Sequence, residues 1–258
     1  HLSAEFIAAS LTELRQDSQL GVQSRVAETI VIDYSAPNLA KEMHIGHLRS
    51  TSIGDAAARS LEFQGHHVIR ANHVGDWGAQ FGSLLAYMDQ LDTSGVALGS
   101  ELKDLEKFYM AASRLFKSDP EFAHKAREYV VRLQSGDPRC RALWQLFITE
   151  SVKHCQAVYD KLNISLTPAD IKAESDYNAD LPVVVDELTR QGLITVSNGA
   201  KCVFLDEFTG KDGNPLPAMV QKSDGGYPYM ASDIAAVRYR SQTLKTDRAL
   251  YFVDARQR

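Results

Sequence analysis

Two histidines three positions apart, His44 and His47 in MHIGHLRS (residues 43–50), stand at the start of a stretch with helical periodicity. Imidazoles so placed can ligate a metal, donate hydrogen bonds to phosphate oxygens, or cap the helix. A metal finds no second set of ligands. His154 beside Cys155 is the nearest candidate, and no other pair has the usual spacing, so no structural metal is expected. Phosphate donation and capping both stay open for an isolated H-x-G-H.

The elements around the pair favour a ligand site. Residues 28–33 (ETIVID) form a β-branched run, IGHLRSTSIGDAAARSLEF follows with helical periodicity, Gly65 is a natural stop, and HVIRAN is a second β-branched run. A crossover of this length implies parallel strands with a right-handed connection. In such sheets ligands bind at the carboxyl ends of strands, where helix N-termini attract phosphate. His44 and His47 would there offer ring N–H donors, and Gly46 would let a flat purine lie against the backbone.

The second strand leads into the Gly-punctuated loop HVGDWGAQFG and the helical LLAYMDQL. From about residue 102 the pattern is helical only, with Asp119-Pro120 and Asp137-Pro138 each placing an N-cap acid before a first-turn proline, and with Gly136 ending the middle helix. Near residue 164 strand signals return (ISLTP), followed by the helix LPVVVDELTRQG. A β-meander of KCVFLDEF, PAMVQK and YPYM is expected next, then a helix from SDIAAVRYR capped by Ser232 or Asp233, then the buried strand RALYFVDA. The expected fold class is α/β, an open parallel sheet interrupted by a helical insertion and a small β-meander. The expected divisions are a linker helix (1–20), the first half of the sheet domain (21–92), the helical insertion (93–163) and the second half with the meander (164–258).

Composition narrows the class. The 258 residues are 44% hydrophobic and 24% charged, enough for one large or two small cores, and the net charge of −5 announces no nucleic-acid or anionic-membrane partner, so such contacts must be local. Cys140, Cys155 and Cys202 are odd in number without a C-x-x-C pair, which fits a reducing compartment. No run approaches the ~20 apolar residues of a membrane span and no leader opens the chain. A cytoplasmic protein without membrane attachment is expected. Both ends look cut: His1 falls at an amphipathic stretch, and the chain stops just after a strand.

DYSAPNLAKEMHIGHLRSTSIGD followed by NHVGDWGAQFG resembles one family closely, the arginyl-tRNA synthetases of class I. The similarity continues through VVRLQSGD, FLDEF and KSDGGYPYMASDIAAVRYR to DARQ. The resemblance implies a Rossmann-like class I catalytic domain in which His44-Ile45-Gly46-His47 looks like the HIGH motif, which binds ATP and stabilises the pentavalent phosphate. Lys41 would supply a cation at the α-phosphate, since the Walker pattern is absent, and its ordinary alternative is a solvated surface lysine. His73 would touch the nucleotide or hold its loop.

Arginine selection calls for carboxylates, because a guanidinium presents five donors and no acceptor. The resemblance carries over Asp33, Asn38, Glu174, Tyr229, Asp233 and Gln257 as amino-acid contacts, with Tyr229 and Asp233 addressing the guanidinium. From the residues alone each has a plainer reading: Asp233 as a helix cap, Tyr229 as core, Asn38 after Pro37 as a turn residue, Asp76 as a loop cap and Trp77 as a core aromatic.

The implied activity has two steps: ATP-dependent formation of arginyl-adenylate, with Mg²⁺ accompanying ATP, and transfer to the 3′ end of tRNA-Arg, which activation itself requires. A KMSKS-like loop and a helical anticodon-binding domain would lie beyond Gln257, so the piece alone is expected to be inactive. Charges of the helical insertion (Lys103, Lys107, Arg114, Lys125, Arg127, Arg132) suit either an acceptor stem or solvated faces. Two rivals are a non-catalytic arginine- or tRNA-binding relative and a nucleotidyltransferase sharing the H-x-G-H phosphate site.

Overall fold

Ile30, Val31 and Ile32 are wholly buried in β1 (Thr29–Asp33), the middle strand of a parallel sheet ordered β2-β1-β6. The computed structural model describes all residues except 23–25, 96, 211–212 and 255–258. A central parallel strand is covered on both faces, so its sequence reads as a continuous apolar run. Its neighbours are β2 (His67–Ala71) and β6 (Arg248–Tyr251), and Asp33 pairs with Ala71 on one side and Tyr251 on the other. All three strands therefore deliver their carboxyl ends to one edge.

Helix α2 (Ile45–Phe63) makes the crossover between β1 and β2, and Gly65 closes it at a φ of +88°, where a Cβ would be strained. It is pinned at several points to the start of the loop after β1 and to the chain near residue 165. Tyr34 Oη donates to Asp55 Oδ1 at 2.9 Å, and the same carboxylate accepts from Ser165 N at 2.9 Å and from Arg59 Nε at 2.8 Å.

Helix α3 (Ala79–Thr93) and four further helices follow: α4 (Leu98–Glu101), α5 (Leu105–Ser118), α6 (Pro120–Gln134) and α7 (Pro138–Lys161). Asp119 accepts from Glu121 N and Phe122 N, and Asp137 accepts from Cys140 N, each before a proline whose missing N–H costs nothing in the first turn. These helices share the core of the sheet. One buried cluster runs from Ile30, Ile32 and Tyr34 through Phe81, Leu84 and Met88 to Phe108, Tyr129 and Phe147.

A second cluster joins Tyr177, Leu181 and Val184 to Ala231, Ala235 and Ala236, between α8 (Leu181–Arg190) and α9 (Tyr229–Arg238). Along the chain between these helices comes an antiparallel sheet of β3 (Thr195–Ser197), β4 (Ala200–Thr209) and β5 (Pro215–Gln221).

Four local expectations change. RALYFVDA is not a buried strand: β6 stands at the end of the sheet order with Arg248, Ala249 and Tyr251 exposed and Leu250 half-buried. The third meander strand is the upstream segment Thr195–Ser197, not YPYM, and its two-residue turn is Asn198-Gly199 with φ of 51° and 79°, the mirror-image turn that matches strand twist. ISLTP forms no strand: a 3₁₀ turn at Pro168–Asp170 follows it, and only Ile171 makes an isolated parallel bridge, to Asn72. Helix α9 begins at Tyr229 behind Pro228, so neither Ser232 nor Asp233 is its cap; Ser232 Oγ donates to the Tyr229 carbonyl and Asp233 lies one turn in. Proline favours the position before or at a helix start, and here it sets the boundary earlier than the Ser-Asp pair suggests.

Gly54 on α2 faces Tyr34 so closely that a Cβ there would sit 2.3 Å from Tyr34 Cβ. Gly→Ala normally strengthens a helix by close to ~1 kcal/mol. Here the overlap should reverse the sign. Gly54→Ala is expected to lower stability by ~1–3 kcal/mol in denaturant melts, and a stabilised variant would show that α2 does not seat against Tyr34 as described.

Candidate active site

Immediately after β1 the chain passes through Ser35 and Ala36 with φ of 70° and 42°, a conformation that L side chains rarely adopt. Side chains from distant segments hold it. Asn72, just past β2, accepts from Ala36 N at 3.0 Å and donates its amide to Tyr159 Oη at 3.2 Å, while Tyr159 Oη and Ser35 Oγ are 2.7 Å apart. Beyond the turn, Gly75 N donates to the Pro37 carbonyl at 3.0 Å and Leu39 N donates to the Gly75 carbonyl at 2.8 Å. The loops after β1 and β2 are thus bonded to each other. Asn38 sits in this bridge and its Oδ1 accepts from Ala40 N at 2.9 Å.

This path brings His44 to the N-cap of α2. His44 Nδ1 accepts from Gly46 N at 3.1 Å, and His47 Nδ1 accepts from His44 N at 3.0 Å. An Nδ1 that accepts carries no proton, so in each neutral ring the proton is on Nε2. Capping and donating are therefore not alternatives: the inner nitrogens cap and the outer ones remain donors. The rings lie 4.0 Å apart, tilted by 32°. Burial, with the charges of His44 and Lys41, pushes the His47 ring below its ordinary value, which keeps it in that neutral form. Gly46 is required by the same geometry, since a Cβ there would lie 2.9 Å from His44 Cε1.

A second group of side chains gathers at the same sheet edge. His73, in the loop after β2, has its Nδ1 3.1 Å from the Lys172 carbonyl and its Nε2 3.5 Å from Asp233 Oδ1 of α9. Its side chain is only 11% exposed, whereas Asp233 is 52% exposed. Tyr229, one helical turn before Asp233, is exposed on the same helix. Glu174 follows in the segment whose N–H joins the Val74 carbonyl at 3.1 Å. Its carboxyl is pushed up to about 7, first by burial and then by Asp76 and Asp233, with His73 opposing. Asp76 is raised as well, chiefly by burial, although it accepts from Ser175 N at 2.9 Å and Ser175 Oγ at 2.5 Å.

Asp33 is already paired within the chain. Arg240 Nη2 lies 2.5 Å from Asp33 Oδ2, and both side chains are buried. Arg240 follows α9 in a π-helical turn (Tyr239–Thr243), and its guanidinium also lies over the Tyr251 ring at 4.9 Å. Neither Arg240, Asn72 nor Tyr159 was evident as a site residue in the sequence, since each looks like an ordinary helix or loop residue. The expected contact Gln257 lies outside the described residues.

A parallel sheet whose central strand leads to a helix N-terminus bearing outward donors defines an open-sheet nucleotide-binding domain. Residues 10–258 match the model of the class I (R) tRNA synthetases, catalytic domain, and the chain belongs to that family. An arginine-tRNA ligase of Hahella chejuensis is 57% identical over 99% of this chain and 45% of its own length, and one of Shewanella loihica is 60% identical over 93% and 42%. The chain thus spans less than half the length of these curated relatives. Among solved structures, arginyl-tRNA synthetase from Plasmodium falciparum superposes with a TM-score of 0.74 at 29% identity, covering 96% of this chain and 44% of that one. Thermus thermophilus arginyl-tRNA synthetase shares the fold, with a TM-score of 0.63 at 24% identity over 91% and 39%.

Glu174 makes the folded protein pH-sensitive in a stated direction. Its folded value of about 7 lies above the ordinary 4.5, so its protonated form stabilises the fold fully below 4.5, and that contribution is lost as pH rises through 7. Glu174→Gln should therefore raise the unfolding free energy relative to wild type at pH 8 by on the order of 1–3 kcal/mol, seen as a higher melting temperature, with the gain shrinking at pH 5. Thermal melts at both pH values check this; equal curves at pH 8 would mean the carboxyl is not held in a desolvated place.

Proposed function

We propose that the full-length protein carrying this chain activates L-arginine with ATP and transfers the arginyl group to tRNA-Arg. The observation that carries this reading is the placement, at one sheet edge, of two outward Nε2–H donors beside Lys41 and a carboxylate group formed by Asp233 and Glu174. The first suits phosphate, the second the two cationic groups of arginine, its guanidinium and its α-ammonium. A nucleotidyltransferase needs only the first.

In the proposed reaction an arginine carboxylate oxygen attacks the α-phosphorus of ATP in line. The bond to the bridging oxygen breaks, pyrophosphate leaves, and arginyl-adenylate remains. His44 and His47 donate to oxygens whose charge grows in the pentavalent state, Lys41 adds a positive charge, and Gly46 leaves room for the nucleotide. Mg²⁺ would accompany the nucleotide and offset part of its phosphate charge. A terminal ribose hydroxyl of tRNA-Arg then attacks the arginyl carbonyl, and AMP leaves. Asp233 and Tyr229 receive the guanidinium, Glu174 and Asn38 the rest of the amino acid. Asp33 is assigned a supporting part through Arg240, and Gln257 keeps its assignment as an amino-acid contact. For His73, expected to touch the nucleotide or hold its loop, the proximity to Asp233 supports a place beside the arginine instead. Among the described residues no helix is long and apolar enough to cross a membrane, and we place the protein in the cytoplasm.

His44→Ala or His47→Ala in the full-length protein should reduce arginine-dependent pyrophosphate exchange by ~10² or more while changing arginine affinity little, since donors to a developing charge act on the chemical step. Wild-type exchange in both variants would leave the histidines with capping alone. Calorimetric titration supplies the complementary test of the pocket. Citrulline, which lacks the guanidinium charge, should bind at least ~10²-fold more weakly than arginine because it leaves the Asp233 carboxylate without a cationic partner; equal affinities would remove the carboxylates from the recognition site.

A further inference from the structure

His73 is held so that its two nitrogens have unequal surroundings. Nδ1 faces the carbonyl of Lys172 at 3.1 Å, and a carbonyl only accepts, so Nδ1 carries a proton. In a neutral ring Nε2 would then present a lone pair toward Asp233 Oδ1 at 3.5 Å, acceptor against acceptor. Protonating Nε2 converts that repulsion into attraction. Nε2 is itself buried and has no hydrogen bond of good geometry in the described structure, so its charge is satisfied through space rather than by a close partner.

The groups facing His73 come from every element packed against it. Asp33 lies at the end of β1, its charge shared with Arg240; Asp233 comes from α9; Glu174 and the ring of Tyr177, 5.5 Å away, come from the segment before α8. Asp76 stands in the same loop as His73, and Lys172 places its ammonium over Tyr177 and Tyr239. Burial opposes the ring's charge, but Asp233 and Asp33 outweigh it and raise His73 above its ordinary value.

We propose that His73 is a specificity-determining residue that carries a proton as a stand-in cation while the carboxylates await substrate, and that it releases this proton to solvent when the arginine guanidinium arrives. The inference rests on the arginine reading above and adds a mechanism to it. A guanidinium on Asp233 would stand beside an imidazolium buried behind it, so the fixed charge of arginine, which has no accessible neutral form, displaces the imidazolium proton. A neutral amino acid of similar shape cannot compensate the carboxylates and leaves the histidine charged. The proton also lowers the cost of carrying several like charges together before substrate binds.

Arginine binding to the full-length protein should therefore release protons, and its affinity should rise with pH through the His73 titration. Titration calorimetry at pH 6.5 in phosphate and in an amine buffer counts the released protons from the buffer dependence of the heat. Glu174 also ionises in this range, so two variants separate the sources. His73→Asn keeps an amide nitrogen where Nδ1 lies, able to donate to the Lys172 carbonyl, but cannot titrate. It should release fewer protons than wild type by about half a proton or more, and show a flatter rise of affinity between pH 6 and 8. Glu174→Gln should retain the histidine share.

If arginine binds and His73→Asn releases as many protons as wild type, the proposal is overturned while the arginine pocket stands. If the asparagine variant does not fold, Glu174→Gln decides: continued proton release supports the histidine, and none overturns it. Failure of wild type to bind arginine at all would overturn this inference together with the reading beneath it.

Discussion

Directly after the central strand the backbone turns through Ser35 and Ala36 in the left-handed region, at a cost of roughly 1–2 kcal/mol for each residue. Neither is glycine, so the conformation persists only because the surroundings over-determine it. Asn72 uses both ends of its amide, one on Ala36 N and the other on Tyr159, and the tyrosine hydroxyl reaches Ser35. The hydroxyl and the amide are buried, so breaking one bond leaves partners unsatisfied in a dry environment. The loop that carries Asn38 and Lys41, and the start of α2 with its two histidines, all follow from this turn.

The same network explains why the helical block cannot be read as an appendage. Tyr159 belongs to α7, and Ser151 on that helix donates to the Leu39 carbonyl at 2.9 Å. The aromatic contacts of Phe81 and Phe108 with Phe147 continue the sheet's core outward. Loosening the packing of α7 would therefore disturb the loop after β1 without any change in the residues of that loop.

Charge is distributed unevenly across the sheet edge. The histidine pair at α2 turns its Nδ1 atoms to the helix cap and offers Nε2–H donors, a disposition suited to an incoming anion. On the other side, Glu174, Asp76 and Asp233 are drawn together and two of them are held above their ordinary values by burial. Asp33 is neutralised by Arg240, so the strand end does not add a further uncompensated charge. His73 stands among the acids as the titratable cation. Thus the two halves of the edge favour opposite charges, although the chain as a whole carries a net −5.

Much of the frame was legible in the sequence because its causes are local. The apolar run of β1, the Asp-Pro helix starts, the Gly65 stop and the position of the two histidines depend on residues within a few positions of each other. Asn198-Gly199 is an equally local signal for the hairpin, whereas YPYM has the look of a strand but its proline opens α9. Tertiary structure alone decided the partners. Asn72 meets Tyr159 across 87 positions and Asp33 meets Arg240 across 207, distances over which no local pattern survives. Residue identity made His44, His47, His73 and Glu174 capable of donating or titrating. Which ring nitrogen keeps its proton, and which carboxyl resists losing one, was settled by the carbonyls, amides and charges that folding placed beside them, because protonation responds to local dielectric and neighbours rather than to sequence order.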